Sequence, residues 1–122
     1  TTLKTHCALD AHPQVATVHY PGLPSHAQHS LASATFAGGS GGMLPFAVRG
    51  GEAAAMKVAA SLGLFKRATS LGGTESLIEH RASIEALSGA SPTAPPGLLR
   101  VSVGLEDKDE LVVDLVRALD EL

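Results

Sequence analysis

The chain has 122 residues and a formal net charge of −3, from nine Lys and Arg against twelve Asp and Glu. Hydrophobic residues make up 44% of it, yet it has only one Tyr, three Phe and no Trp, so we expect one domain with a core of small, closely packed side chains. The apolar content excludes a disordered chain, and no stretch approaches the roughly 20 apolar residues of a membrane span. No secretory leader pattern opens the sequence.

The charge distribution argues against a nucleic-acid-binding protein, and the cysteine content argues against a disulfide-bonded one. The basic residues are dispersed, with no stacking aromatics between them, which disfavours a nucleic-acid-binding surface. Most of the acidity belongs to the last 17 residues, 106–122, where seven acids stand against two bases. The single Cys7 excludes an intrachain disulfide, so the composition fits a reducing compartment, and we expect a soluble, cytoplasmic protein without a membrane contact.

The first half of the chain alternates short helical and extended patterns. Residues 1–11 predict the last turns of a helix that begins further upstream. Residues 15–20 are rich in β-branched side chains and predict a strand that ends in a Pro-Gly turn. Ser25 is the expected cap of a short helix that runs to about Phe36, and residues 43–49 predict a central strand that ends at two glycines.

The second half contains the clearest patterns. Residues 52–64 predict an Ala-rich helix with small side chains. Residues 66–71 and 76–80 predict two short extended segments, and residues 88–97 predict a flexible loop. Residues 99–105 alternate, which predicts a strand with Leu99, Val101, Val103 and Leu105 on its core face and Arg100 on the opposite face. Asp107 followed by Glu110 predicts the start of an amphipathic last helix.

This order of elements favours a two-layer α/β sandwich of the α+β class. We expect a small, largely antiparallel sheet with helices on one side. Residues 1–122 would form a single domain.

Two motifs in the first half have ordinary structural explanations. His26 and His29 have a spacing that could place two imidazoles on one metal, but no third ligand follows, so hydrogen bonding near a helix end is favoured and no metal site is predicted. The glycines of residues 38–42 precede a strand and lack the phosphate-loop pattern, which favours a turn.

Two features in the second half leave alternatives open. Gly72 and Gly73, flanked by hydroxyls and the Glu75 carboxylate, allow close approach of a ligand to the backbone, although the spacing alone favours a tight turn. The planar guanidinium of Arg100 could bind a carboxylate through two hydrogen bonds, or it could form a structural salt bridge with a neighbouring strand.

Three segments in a fixed order resemble a known family. Residues 18–26 (VHYPGLPSH), 70–80 (SLGGTESLIEH) and 98–107 (LLRVSVGLED) are similar to the C-terminal domain of the pyridoxal-phosphate-dependent trans-sulfuration enzymes. These are cystathionine γ-synthase, cystathionine γ- and β-lyases, and methionine γ-lyase. The resemblance covers essentially the whole chain and implies the small C-terminal domain of a fold-type I enzyme of this kind.

The resemblance implies roles for particular residues. Arg100 would hold the α-carboxylate of a sulfur amino acid, with Ser70 and the Leu71 backbone amide beside it. Glu75 would lie towards the side-chain end of the substrate. The family also implies a homo-oligomer, a tetramer in many members.

The resemblance also implies what this chain lacks. The pyridoxal-phosphate-binding domain of the family lies N-terminal to the segments present here, and no lysine of the chain has the sequence context of the cofactor lysine. We therefore expect no catalytic and no cofactor-binding residue in this chain, which by itself would bind no pyridoxal phosphate and be inactive. Arg81 and Pro45 depart from the family pattern, which commonly has Pro and Ser there, and leave the subfamily open among γ-synthase, β-lyase and γ-lyase.

A function from another class remains open as the alternative. The chain could be a free-standing paralogue or a fragment that serves as an assembly or interaction module without catalysis.

Overall fold

The computed structural model describes residues 2–122, with side chains described from residue 4 onward. Five helices and five strands follow one another along this part of the chain: α1 (Thr2–Asp10), β1 (Val15–Val18), α2 (His29–Thr35), β2 (Met43–Val48), α3 (Gly51–Ser61), β3 (Lys66–Arg67), β4 (Leu77–His80), α4 (Arg81–Ala86), β5 (Leu98–Ser102) and α5 (Lys108–Asp120). Thr1, which the sequence places in the first helix, lies outside the described residues.

The strands form one mixed sheet in the order β1-β2-β5-β4-β3. Three pairings are antiparallel, and only β3 and β4 run parallel. Helices α1 and α3 pack on the sheet, and α5 packs against both of them. The prediction of a small, largely antiparallel sheet with a helical layer is therefore confirmed.

Alternation along the paired strands separates an apolar face from a polar one. Because directly opposed residues of antiparallel strands share a face, Leu44, Val101 and Ile78 form one apolar row, and Phe46 lies opposite Leu99 in the next. All five side chains are fully buried. These rows pack beneath the helices and form the centre of the core.

Helix α5 closes the core from outside, as its sequence predicts. The Asp107 carboxylate accepts hydrogen bonds from the backbone N–H groups of Asp109 (2.8 Å) and Glu110 (3.2 Å) and so caps the helix. Leu111, Leu115 and Leu119 then recur every four residues and are at most 1% exposed. Burying three leucines of this kind contributes about 1.5–3 kcal/mol each, so this helix is held by packing as well as by its cap.

Several local predictions differ from the structure. Helix α2 begins at His29, and its N-cap residue Gln28 makes no side-chain cap, so Ser25 does not cap it. Helix α3 spans Gly51–Ser61, whereas the sequence predicts a helix over residues 52–64. Strand β5 ends at Ser102, and Leu105 is 81% exposed instead of facing the core, because the backbone beyond the strand no longer alternates.

Helix α4 has no clear signal in the sequence and is not among the predicted elements. This six-residue helix has no side-chain cap at His80, and isolated helices of that length are unstable in water. Contacts with the following loop hold it instead, because the Glu85 carboxylate accepts hydrogen bonds from the Thr93 and Ala94 N–H groups. Within the helix, Glu85 also pairs with Arg81 at 3.2 Å. The loop that was expected to be flexible is therefore tied to α4 along its second half.

Candidate functional site

Arg100 lies on the polar face of the sheet, in the middle of the central strand β5. Its cross-strand neighbours on that face are Pro45 of β2 and Glu79 of β4. The Arg100 side chain is 23% exposed, and its Nε lies 2.9 Å from Glu79 Oε1. The sheet-neighbour salt bridge that the sequence left open is therefore present.

That salt bridge leaves part of the guanidinium available. Arg100 Nη2 donates a hydrogen bond to the carbonyl oxygen of Thr69. Among the residues that the structure describes, Nη1 has no partner. Since a guanidinium carries five N–H donors in a planar fork, the outer end of Arg100 can still bind a carboxylate.

A segment that we call the 69–75 loop lies over this face and is fastened to β5. Besides the Arg100 bond to Thr69, the Gly72 N–H donates to Ser102 Oγ at 3.0 Å. Gly72 has a φ of +74°, a backbone conformation that favours glycine. The loop joins β3 to β4, which run parallel, so the chain must return from the end of β3 to the start of β4. A tight turn, which the spacing alone favours, cannot make such a connection.

The C-terminal end of the loop is held by a chain of hydrogen bonds. The Leu105 N–H donates to the Thr74 carbonyl at 2.9 Å, and the Gly104 N–H donates to Ser76 Oγ at 2.9 Å. The Ser76 hydroxyl and N–H in turn donate to the two oxygens of Glu106, at 2.8 and 2.6 Å.

Glu106 is charged in this arrangement. Burial by itself would raise the pKa of Glu106, but the hydrogen bonds from Ser76 and the charge of Lys66 outweigh it and lower the pKa below its ordinary value. A charged acceptor strengthens both bonds from Ser76.

Gly104 is needed for this close approach. A Cβ atom at Gly104 would lie 2.3 Å from the Thr74 carbonyl oxygen and 2.6 Å from a Glu106 oxygen. The sequence pattern indicates Gly72 and Gly73 as glycines of close approach. It gives no signal for Gly104, because the segment that crosses Gly104 is some 30 residues away in sequence.

The structure places Ser70 and Leu71 in the loop segment that follows Thr69, the residue that Arg100 contacts. Ser70 and Leu71 occupy the two positions between Thr69, held by Arg100, and Gly72, held by Ser102. No described residue hydrogen bonds the Ser70 hydroxyl, and the Leu71 side chain is 55% exposed.

Glu75 lies further along the loop and forms an exposed ion pair with Lys66. The structure gives it no contact with Arg100.

Lysines are the residues of this chain with which pyridoxal phosphate could form a Schiff base. All four lysines are exposed, and three are engaged by the chain itself: Lys4 with Asp109, Lys57 with the Glu121 carbonyl oxygen, and Lys66 with Glu75. Lys108 begins α5. A lysine that is activated for Schiff-base chemistry is desolvated in a pocket, whereas these four side chains are exposed.

His26 and His29, whose spacing could suit a metal ion, each hydrogen bond to a different backbone group. His29 Nδ1–H donates to the Pro21 carbonyl at 2.9 Å, and His26 Nδ1 accepts from the Gln28 N–H at 3.2 Å. Within residues 2–122, no three side chains of the ligating types cluster closely enough to hold a metal ion. No helix in the same range is long and apolar enough to cross a membrane.

The sequence matches a known enzyme family and is similar to several of its members. The family model described as "Cys/Met metabolism PLP-dependent enzyme" matches residues 2–120. Cystathionine gamma-synthase of Mycobacterium tuberculosis is 44% identical in an alignment of 110 positions that covers 88% of this chain and 28% of that protein. L-methionine gamma-lyase of Pseudomonas putida is 42% identical in an alignment of 130 positions, gaps included, that covers 96% of this chain and 32% of that protein.

A solved structure agrees with these sequences. MetB from Corynebacterium glutamicum superposes with a TM-score of 0.91 at 40% identity, covering 98% of this chain and 31% of that one. The chain thus spans about a third or less of the length of the relatives that it matches.

Proposed function

The chain belongs to the family of Cys/Met metabolism PLP-dependent enzymes, and from this premise we propose that it is the C-terminal, substrate-carboxylate-binding domain of such an enzyme. The whole enzyme would act on a sulfur amino acid by the chemistry of cystathionine synthases and lyases. Its pyridoxal phosphate would be bound by an N-terminal domain that this chain does not include, and would supply the electron sink for bond breaking at the substrate. The enzyme would be a cytoplasmic homo-oligomer.

The outer end of Arg100 is the observation that carries this proposal. One edge of its guanidinium is engaged by Glu79 and by the Thr69 carbonyl, while Nη1 has no partner among the described residues. A carboxylate placed there would accept hydrogen bonds from Nη1 and from the second proton of Nη2. The charge and the two-donor geometry both suit the α-carboxylate of an amino acid.

The 69–75 loop supplies the second side of the carboxylate site. The hydroxyl of Ser70 and the N–H of Leu71 lie in the short segment between two anchored residues, so the loop would present them in a fixed place. Two additional donors beside Arg100 would fix the tilt of the carboxylate as well as its position. Glu75 would lie towards the side-chain end of the substrate.

This chain would orient the substrate and transfer no proton. Arg100 stays charged at any physiological pH, so its contribution is to bind and align. Orientation of this kind decides which bond at the α-carbon faces the reacting groups of the other domain.

Replacing Arg100 by lysine tests the proposal in the full-length enzyme. Arg100→Lys keeps the charge and loses the planar fork, so a two-bond contact becomes at best one. The loss of one charge-assisted hydrogen bond, worth about 1.5–3 kcal/mol, predicts a kcat/KM roughly 10- to 150-fold lower.

Circular dichroism and the visible absorbance of the bound cofactor serve as controls for folding and cofactor content. If Arg100→Lys folds, holds the cofactor and keeps a near wild-type kcat/KM, Arg100 is a structural arginine and the proposed site is wrong.

A further inference from the structure

Glu79 is a buried carboxylate held between two arginines. Its side chain is 3% exposed, and one oxygen, Oε1, lies 2.9 Å from Arg100 Nε and 3.2 Å from Arg81 Nη1. The other oxygen, Oε2, is buried and has no hydrogen-bond partner among the described residues. A buried carboxylate with an unsatisfied oxygen is costly, so it is not explained by stability alone.

The position of Glu79 determines which edge of Arg100 is used. Nε and Nη2 of a guanidinium lie on one edge, and Nη1 and Nη2 form its outer end. Glu79 lies against Nε, and the Thr69 carbonyl accepts from Nη2. With that edge engaged, the plane of the guanidinium is fixed and its outer end is left open.

Glu79 is itself fixed by its surroundings. It lies directly across from Arg100 in the antiparallel pairing of β4 with β5, so the sheet sets the separation of the two side chains. Arg81, the first residue of α4, holds the same oxygen, and Glu85 pairs with Arg81 at 3.2 Å. The carboxylate is therefore restrained both by the strand and by the helix that follows it.

We infer that Glu79 is a positioning residue for Arg100, which directs the guanidinium so that its outer end receives the substrate carboxylate. This inference rests on the proposed function of Arg100. Glu79 does not touch the substrate; it acts through the orientation of one side chain. Without it, rotation about the single bonds of the Arg100 side chain would reorient the planar guanidinium, which would then bind a carboxylate less selectively.

The test measures selectivity for a carboxylate in the full-length enzyme. Norvaline has no leaving group, and norvalinamide differs from it by replacing the carboxylate with a neutral amide. Calorimetric titration of both gives the ratio of their dissociation constants, which reports recognition of the carboxylate. A merely structural effect on the fold would weaken both ligands and leave this ratio unchanged.

Two substitutions of Glu79 form a graded series. Glu79→Met fills the space without an acceptor and is expected to lower the selectivity ratio by on the order of tenfold. Glu79→Gln keeps an acceptor of the same shape and is expected to retain part of the ratio. Should the Met variant fail to fold, the Gln variant decides alone, since an unchanged ratio there would overturn the inference.

A buried carboxylate elsewhere provides the matched control. Asp114 of α5 is also buried and paired with an arginine, Arg117, at 2.8 Å, but it lies in the helical layer. Asp114→Asn should destabilise the protein while the selectivity ratio stays at its wild-type value.

The double variant shows whether Glu79 acts through Arg100. In an Arg100→Lys background, Glu79→Met should cause less than about a threefold further loss, because the guanidinium that it orients is gone. An equal loss in both backgrounds would overturn the inference. If Arg100→Lys by itself keeps the wild-type selectivity ratio, the proposed function of Arg100 is wrong. If Arg100→Lys lowers the ratio but Glu79→Met does not, only the inference about Glu79 is wrong.

Discussion

Replacing Gly104 by alanine tests how closely the 69–75 loop must lie against the end of β5. Gly104 lies two residues beyond the end of β5, the strand that carries Arg100, and its N–H donates to Ser76 Oγ at 2.9 Å. Alanine adds one methyl group and no charge. Any change in substrate binding would therefore come from displacement of the loop.

The structure sets the size of that displacement. The added Cβ would lie 2.3 Å from the Thr74 carbonyl oxygen and 2.7 Å from the Glu75 carbonyl carbon, and both atoms belong to the backbone. Since an ordinary contact needs about 3.4 Å, the loop must move by roughly 1 Å, and overpacking of this kind costs about 1–3 kcal/mol. A 1 Å misplacement of groups that position a substrate can lower the rate by about 100-fold.

Steady-state kinetics in the full-length enzyme check the prediction. Gly104→Ala should lower kcat/KM by roughly 10- to 100-fold while the cofactor absorbance stays at its wild-type value. Gly73→Ala is the matched control in the same loop, because its added Cβ would have no atom nearer than 4.0 Å, from the Glu75 nitrogen. If Gly104→Ala is as active as Gly73→Ala, the loop does not position the substrate, and the reasoning is wrong.

Two further predictions concern stability and the cofactor. Burial of Asp114 by itself would raise its pKa, but hydrogen bonds from the Gly63 and Leu64 N–H groups and the charge of Arg117 lower the pKa below its ordinary value of 3.8. Because its pKa is lowered in the folded state, the charged Asp114 stabilises the protein above pH 4, and this contribution is lost as the pH falls through the pKa of the folded state. Asp114→Asn should therefore lower the free energy of unfolding by about 2 kcal/mol at pH 7 and by progressively less below pH 4. Denaturant titrations at pH 7 and pH 3 measure this, and an equal deficit at both would contradict it. The chain by itself should bind no pyridoxal phosphate, so incubation with the cofactor and borohydride should label its four lysines only sparsely. Stoichiometric labelling of one lysine in a peptide map would refute that expectation.

The sequence by itself determined the elements whose signals are local. In α5, the capping residue Asp107 and the leucines at every fourth position specify a start, a length and a buried face. In β5, alternation placed Leu99 and Val101 in the core and Arg100 on the polar face. The motifs of residues 70–80 and 98–107 identified the family, because their order and composition are specific even without coordinates.

Only the tertiary structure decided how these elements meet around Arg100. Three features meet there: the parallel pairing of β3 with β4, the position of Glu79 opposite Arg100, and the crossing of the loop over Gly104. They join residues between 11 and 30 positions apart in the sequence. Strand register and loop approach depend on the packing of the whole sheet, and a one-residue shift would move Glu79 to the other face. The periodicity of a single strand shows which face Arg100 occupies, but it contains no information on the residue that the neighbouring strand places beside it.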